Sequence, residues 1–278
     1  MRGNPLSPVI RLTPVMVWLL ILFRIESPAS DFPYRLNTLD YALLSGGIGS
    51  ECLALYLDNR HFEISREELA GLSRSDINPL DRWSTRNWDP DFGRISDILA
   101  GGLLTTPGAI WLAQSRHRNW RELATYSIMF LETVALTNGL KDLTKALVKR
   151  KRPYLYNSDL SEIQRMELIE DDQGNNSFFS GHTANAFSAS VFLAVTYRDL
   201  YGDNPCGKLI WITGLSAAGA TGFCRYHSGN HFPTDILAGA AVGSAIGYAI
   251  PALHRRKSTA QGFQLSVFPG RMDLMILF

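Results

Sequence analysis

The chain has 278 residues, of which 46% are hydrophobic and 19% charged, and its formal net charge is +1. This composition excludes wholesale disorder, and the small net charge gives no reason to expect a nucleic-acid partner. The mean hydropathy of −0.03 is low for a chain built mainly of membrane spans. Cys52, Cys206 and Cys224 are too few and too far apart for a disulfide framework or a cysteine metal site.

Residues 1–30 are predicted to be a signal peptide or an N-terminal anchor. Arg2 and Arg11 precede an apolar run from Val15 to Phe23, and small residues at 27–29 follow it. Arg24, at the end of the run, is atypical of a cleaved signal, so an uncleaved anchor stays open. In both cases we expect export into the cell envelope.

Residues 31–94 are predicted to form an N-terminal helix followed by a polar cap segment. The apolar pattern predicts a helix from Leu39 to Leu57. The polar part that follows is rich in turns and contains a short helix, which a capping box from Ser65 to Glu68 opens.

Residues 95–254 are predicted to form a helical-bundle core. Five apolar segments are expected to be helical, with a loop from Pro153 to Phe179 between the second and the third: 97–114, 122–148, 182–197, 209–224 and 236–253. Together with the N-terminal helix, these segments predict an all-α fold, a bundle of about six helices.

Residues 255–278 are predicted to form a tail of a different kind. Apolar residues alternate with polar ones on both sides of a Pro269-Gly270 turn, a period of two that predicts a short β-hairpin over 262–278. We expect this hairpin to lie outside the catalytic bundle.

Basic residues between the core segments bear on membrane topology. Most segments fall short of the roughly 20 residues that cross a bilayer. If the leader is exported, the Leu39–Leu57 helix does not cross and all five core segments do, three basic groups face the cytoplasm, as the positive-inside rule requires: 116–121, Arg198 with Lys208, and 255–257. We therefore expect a membrane protein whose active site faces the periplasm or the outside. A soluble periplasmic bundle stays open as the alternative.

The first segment with recognisable chemistry lies at the end of the 122–148 helix. On a helix, positions 145, 149 and 152 share one face, so Lys145 and Arg152 could converge on one anion before Pro153 ends the helix. A solvated basic run would have the same appearance.

The second segment, Ser180-Gly181-His182, directly precedes a helix. Backbone N–H groups at a helix start approach anions closely, Ser180 adds a hydroxyl donor, and His182 is placed to exchange a proton.

The third segment contains Arg225, His231 and Asp235. The guanidinium suits a phosphate-like anion, and a carboxylate beside an imidazole fixes its tautomer and supports its positive charge. Of the two histidines, only His231 has a carboxylate nearby in the sequence. This asymmetry suits a two-step phosphoryl transfer, which needs one nucleophile and one general acid.

Together the three segments resemble the signature of the phosphatidic acid phosphatase type 2 superfamily: K-x6-R-P, then P-S-G-H, then S-R-x5-H-x3-D. This superfamily also contains class A bacterial acid phosphatases and vanadium haloperoxidases. The order and both internal spacings agree, and the resemblance covers about residues 97–253. Phe179 stands where the family has proline. Cys224 replaces the family's serine and exchanges a good hydroxyl donor for a weak S–H.

The resemblance implies a role for each matching residue. His231 would attack phosphorus, Asp235 would orient it, and His182 would protonate the leaving group. The phosphoryl oxygens would be held by Lys145, Arg152, Ser180, the Gly181 N–H and Arg225. Neither metal nor cofactor is implied, since these cations and N–H groups supply the electrostatic stabilisation.

The expected function is a phosphatase that hydrolyses phosphomonoester or pyrophosphate bonds, with a lipid phosphate as substrate, the membrane as its setting and no nucleic-acid partner. Two alternatives stay open. One is a vanadate-dependent haloperoxidase that uses the same anion pocket, and the other is a catalytically weak protein that binds or transports lipid phosphates.

Overall fold

The computed structural model describes residues 32–58, 64–115, 119–172, 174–256, 262–268 and 271–277, without the side chains of 58, of 170–172 and of the last two ranges. These residues form eight α-helices: α1 Leu39–Asp58, α2 Arg66–Ala70, α3 Pro90–Ala113, α4 Trp120–Val148, α5 Glu162–Asp172, α6 Gly181–Tyr201, α7 Pro205–His227 and α8 Pro233–His254. Short 3-10 helices span Arg74–Asp76, Arg82–Arg86 and Pro153–Tyr156.

The six long helices, α1, α3, α4, α6, α7 and α8, build the bundle, and the all-α prediction is confirmed. They are longer than the apolar segments that predicted them, at 20 to 29 residues each. The difference lies mainly at their beginnings, where polar caps and first-turn prolines precede the apolar run. Asn119 caps α4 and Asn204 caps α7, and α3, α7 and α8 each begin with proline.

The predicted loop from Pro153 to Phe179 is wrong over much of its length, because it contains the 11-residue helix α5. Leu168 and Ile169 of α5 pack with Tyr154 and Leu155 in a small apolar cluster that also includes Leu69 of α2. The acidic residues of α5 hid this apolar face in the sequence.

The chain ends with two antiparallel strands, β1 Gly262–Phe268 and β2 Arg271–Leu277, in which Gly262 pairs with Leu277 and Phe268 with Arg271. We expect one face of this hairpin to be buried, but the side chains that would form this face are outside the described part of the structure. The signal or anchor predicted for residues 1–30 lies outside the described residues.

Helices α6 and α8 pack parallel to each other through small residues. Gly239, Gly243 and Gly247 of α8 lie against the carbonyl oxygens of residues 180, 184 and 188 in turn, and a methyl at any of them would lie within 2.5 Å of that oxygen. Only glycine allows two helix backbones to approach so closely. The first turns of α6 and α8 are therefore neighbours.

Helices α4 and α7 run antiparallel to α6. Asn138 of α4 accepts a hydrogen bond from Asn185, and Lys141 lies against Gly181. In the same way, Gly222 of α7 lies near Thr183. The ends of α4 and α7 thus meet the beginnings of α6 and α8 at one end of the bundle, which is called the catalytic end below.

The polar segment before α3 covers the catalytic end. The Asn87 amide donates a 3.1 Å hydrogen bond to the carbonyl of Tyr226 at the end of α7. Gly229, with φ of 74°, turns the chain from α7 to α8 so closely under Asn87 that a Cβ there would lie 2.3 Å from the Asn87 carbonyl oxygen. The segment is fixed to the bundle where the predicted site residues converge.

Candidate active site

His231 is buried in the turn between α7 and α8, with 1% of its surface exposed. Its Nδ1 lies 2.7 Å from the carbonyl oxygen of Ser177. A carbonyl only accepts, so Nδ1 carries the proton and Nε2 the lone pair. Burial holds the pKa of His231 well below its usual range, and Arg152, Arg225, Lys145 and His182 add to this effect through their charge. The imidazole is therefore neutral and able to act as a nucleophile at neutral pH.

The carboxylate of Asp235 does not contact the His231 ring directly, since the nearest oxygen is 4.0 Å from Nδ1. Instead, its Oδ2 accepts from the Ser177 hydroxyl at 2.6 Å and from the backbone N–H of Phe232 at 3.0 Å. The expectation that Asp235 fixes the tautomer by itself is therefore wrong. Ser177 joins the two groups, because its carbonyl orients the imidazole and its hydroxyl binds the carboxylate.

Arg150 forms the other contact of Asp235, an ion pair through Nη1. Its Nη2 binds Asp81 at 2.7 Å, and its guanidinium lies 4.1 Å from the centre of the Phe232 ring. Arg150 thus links two fully buried carboxylates, one from α8 and one from the polar cap segment.

Asp81 fixes the first turn of α8. It accepts hydrogen bonds from the Thr234 N–H at 3.0 Å and from the Thr234 hydroxyl at 2.6 Å. Burial acts to raise the pKa of Asp81, but the hydrogen bonds from Thr234 and Arg150 outweigh it and keep this pKa below its usual range. Asp81 is therefore ionised, and it holds the polar cap segment onto the helix that carries Asp235.

His182, at the second position of α6, has a carboxylate partner that the sequence analysis missed. Its Nε2 lies 3.0 Å from Oδ1 of Asp97, on α3. The same oxygen lies 3.4 Å from Nη1 of Arg225, which also donates to Ser96 at 3.2 Å. The expectation that only His231 has a paired carboxylate is wrong, since the direct histidine–carboxylate contact in this site belongs to His182.

Lys145 and Arg152 do not share a helix face, contrary to the prediction. Helix α4 ends at Val148, and Lys149 adopts a left-handed conformation with φ of 48°, which turns the chain. Arg152 is buried and donates to the Asn230 side chain at 3.2 Å. The charges of Lys145 and Arg152 nevertheless both lower the pKa of His231. The turn at Lys149, not helical periodicity, brings them together.

Ser180 and Gly181 begin α6 beside the two histidines. Ser180 is fully buried, its hydroxyl shares a 2.8 Å hydrogen bond with Thr183, and its N–H donates to the backbone carbonyl of Asp235. The first N–H groups of α6 have no carbonyl partner within the helix and can bind an anion. Gly181 lets the Lys141 side chain cross directly over its Cα, which adds a cation that the motif search did not identify.

Two neighbours of the site are peripheral. Cys224 is a buried free thiol in the last turns of α7. His227 is half-buried and packs against the rings of Phe92 and Phe223.

Comparison with known proteins agrees with the motif. Residues 126–258, which include every predicted site residue, match the family model described as the PAP2 superfamily. The match agrees with the resemblance that the three motif segments predicted for this part of the chain. The lipid A 1-phosphatase of Porphyromonas gingivalis is 32% identical over 104 residues, which are 36% of this chain. The chain spans about a fifth of that relative, 22% of its length. A transmembrane PAP2-type phosphatidylglycerolphosphate phosphatase from Bacillus subtilis aligns with 77% of this chain and 92% of its own, at 17% identity and a TM-score of 0.36.

The residues that the sequence analysis missed gave weak signals. Arg150 lies within a basic run beside Arg152, and no spacing rule separates it from its neighbours. Asp97 lies one or two turns into α3, and Asp81 follows an Asn78-Pro79 turn. Each partner is distant in the sequence, so only the folded chain identifies these contacts.

Proposed function

We propose that this protein is a metal-independent phosphatase of the cell envelope, which hydrolyses phosphomonoester or pyrophosphate bonds of a lipid phosphate through a phosphohistidine at His231. The observation that carries the proposal is the state of His231. Its Nδ1–H is bound to the Ser177 carbonyl, so a neutral Nε2 lone pair lies among the charges of Arg152, Arg225 and Lys145.

In the proposed reaction, a phosphoryl group binds between these cations and the N–H groups of α6. Nε2 of His231 forms a bond to phosphorus while the bond to the leaving oxygen breaks, and His182 gives its proton to that oxygen. Water then attacks the phosphohistidine, His182 takes its proton, and inorganic phosphate is released. As His231 becomes positively charged, the Ser177 carbonyl stabilises the charge directly and Asp235 acts through Ser177.

Arg150 and Asp97 have separate parts in this reaction. Arg150 pairs with Asp235 and holds that carboxylate against the Ser177 side of the site. Burial and the charges of Arg225 and Lys145 lower the pKa of His182 to about 3, and the negative charges of Asp97 and of the bound phosphate oppose this effect before the proton is given. Asp97 must then release Arg225 to the phosphate, because one guanidinium nitrogen cannot serve both anions fully.

A membrane setting is supported by the exposed apolar surface. Helices α3 and α8 are long and apolar enough to cross a bilayer, and only 28% of an apolar 18-residue stretch in each is buried. Ile98, Leu112 and Leu237 are 69–75% exposed on these helices, which a soluble bundle does not favour. Among the described residues, the other long helices do not reach the same hydropathy.

An outward-facing site is supported by the distribution of basic residues. Arg121 at the start of α4, Arg198 near the end of α6, and Arg255 after α8 all lie at the end of the bundle opposite the catalytic end. If that end faces the cytoplasm, the positive-inside rule is met and the catalytic end faces outward.

The test combines phosphate release with trapping of the intermediate. Purified protein in detergent is given a panel of lipid phosphates, lipid pyrophosphates and soluble phosphomonoesters, and a labelled activated aryl phosphate is used for acid quenching. We expect release from a lipid phosphate, and a labelled phosphohistidine in the wild type and in a matched His227→Ala control.

The two histidine variants should fail differently. His231→Ala should form no intermediate with any substrate, because the nucleophile is gone. His182→Ala should keep activity on the activated aryl ester and lose it on alkyl or lipid phosphates, whose leaving groups need a proton. Label accumulating in His231→Ala would overturn the assignment. Tight lipid-phosphate binding without release would favour the binding protein, and vanadate-dependent halide oxidation would favour the haloperoxidase.

A further inference from the structure

Three ionisable side chains are buried together far from the active site. Asp40 at the start of α1, Glu132 in α4 and His254 at the end of α8 are 7%, 0% and 0% exposed. Nε2 of His254 lies 2.7 Å from Oδ1 of Asp40 and 3.2 Å from Oε2 of Glu132. His254 is 19 residues after Asp235 on the same helix, about 28 Å along its axis. This carboxylate–histidine cluster therefore cannot take part in phosphoryl transfer.

The hydrogen bonds of His254 direct its Nε2 toward the two carboxylates. Nδ1 lies 2.8 Å from the Ile250 carbonyl, which only accepts, so Nδ1 carries a proton. A backbone carbonyl on the far nitrogen is the usual outer partner of a histidine that binds a metal. A metal ion would take the place of the Nε2 proton that the 2.7 Å contact with Asp40 requires, while Nδ1 keeps its proton on the Ile250 carbonyl.

The charge of the cluster is unbalanced without a cation. Two buried carboxylates face one imidazole, and no arginine or lysine of the described residues forms an ion pair with either of them. Oε1 of Glu132 is buried and has no hydrogen-bond donor in the described part of the chain. An uncompensated buried carboxylate is costly. A divalent ion would make the group neutral and would occupy the free oxygen.

We propose that Asp40, Glu132 and His254 bind a divalent transition-metal ion of the Zn²⁺ type. The three ligand atoms already lie within 4.8 Å of one another. Zn²⁺ takes imidazole nitrogen and carboxylate oxygen at about 2.0–2.2 Å, which in a tetrahedron puts ligand atoms about 3.4 Å apart. The His254–Asp40 contact must then open by less than 1 Å. Mg²⁺ and Ca²⁺ prefer oxygen ligands alone and fit this set less well.

The consequence of binding is structural. The ion would join α1 to α4 and α8 at the end opposite the active site. The backbone pairing of residues 33–35 with 254–256 closes that end, through hydrogen bonds from Arg35 to His254 and from Arg256 to Pro33. A metal bound to the folded chain and not to the unfolded chain raises the free energy of unfolding.

The test measures metal in the full-length, tag-free protein, purified in detergent and dialysed against metal-depleted buffer. We expect about one equivalent of a transition metal in the wild type and in Asp203→Asn, which removes an exposed carboxylate of the α6–α7 link. Glu132→Gln and Asp40→Asn keep the side-chain shape and should lose the metal. Adding Zn²⁺ to stripped wild-type protein at a hundredfold excess over Kd should raise Tm by about 5 °C or more, with no shift in either variant.

Co²⁺ keeps the proposal testable if both variants fail to fold. Stripped wild-type protein loaded with one equivalent of Co²⁺ should absorb in the visible with the bands of a four-coordinate site and without thiolate charge transfer. The proposal is overturned if the wild type binds no metal, shows no Tm response to Zn²⁺ and gives no such spectrum. Equal binding by the wild type and Glu132→Gln would also overturn it. The cluster would then be an ion-pair group neutralised by protons.

Discussion

Gly243→Ala tests whether the parallel contact of α6 and α8 positions the two catalytic histidines. A methyl at residue 243 would lie 2.1 Å from the Ala184 carbonyl oxygen, whereas an ordinary contact begins at 3.4 Å. The methyl carbon is attached directly to the α8 backbone and the oxygen belongs to the α6 backbone, so neither atom can rotate away. The helices must therefore move apart by about 1.3 Å at this level, two turns beyond Asp235.

The size of the effect follows from this displacement. Overpacking of this kind costs about 1–3 kcal/mol, which lowers Tm by about 2–12 °C in a chain of this size. His182 lies on α6, and α8 carries Asp235 and follows His231 directly. A shift of about 1 Å between reacting groups can cost about 100-fold in rate. We expect kcat for an activated aryl phosphate to fall by about this factor at temperatures well below Tm.

The control is Gly219→Ala in α7, where a methyl would meet nothing within 4 Å. Alanine is the better helix former by up to about 1 kcal/mol, so this variant should keep wild-type kcat and an equal or higher Tm. The assay is phosphate release from the aryl ester, with thermal unfolding of the same samples. If Gly243→Ala matches Gly219→Ala in both measurements, the packing contact does not position the site.

Four further predictions concern the site itself. Ser177→Ala removes the hydroxyl on Asp235 but keeps the carbonyl on His231, so kcat should fall about tenfold or more and still exceed that of His231→Ala; equal losses would contradict the role of the carbonyl. Asp97→Asn removes a negative charge from the phosphate pocket and from beside His182. Steady-state kinetics should therefore give a lower KM for all phosphate substrates and a lower kcat for alkyl phosphates only. A rise in KM would contradict this role of Asp97. Asp81→Asn leaves Arg150 with one carboxylate and should lower the free energy of unfolding by about 2–4 kcal/mol, measured by denaturant titration. A change below about 0.5 kcal/mol, as is usual for a surface substitution, would refute a structural role. The pKa of His231 is lowered in the folded chain, so kcat/KM on an aryl phosphate, corrected for ionisation of the ester, should stay constant below pH 6.5. The free energy of unfolding should fall as pH decreases from about 6.5 toward the folded pKa, because the unfolded chain then binds more protons. A decrease of kcat/KM centred at pH 6.5 would contradict this.

The contrast between the two carboxylate–histidine pairs shows the limit of motif reading. The i, i+4 spacing of His231 and Asp235 predicts a direct contact, yet the chain turns into α8 between them, and Ser177 from another segment occupies the space. Asp97 precedes His182 by 85 residues, so no local pattern connects them. Their contact exists because α3 begins where α6 begins.

The sequence by itself determined the six long helices and the resemblance to the PAP2 superfamily. Apolar runs bounded by caps and prolines set where the six long helices lie, because these signals are local and act within one or two turns. The three motif segments predicted eight site residues, since each segment holds a complete piece of anion-binding chemistry. The signals failed where a helix is short and acidic, as in α5, whose apolar face becomes evident only against Tyr154 and Leu155.

The tertiary structure decided how those residues are joined. Three glycines spaced four apart on α8 set the parallel contact with α6, but their partner helix cannot be read from the spacing alone. The links from Arg150 to Asp81 and Asp235, from Asp97 to His182, and from His254 to Asp40 and Glu132 all span distant parts of the chain. Side-chain contacts of this kind depend on which helix ends meet, and that is fixed by packing of the whole bundle rather than by any local run of residues.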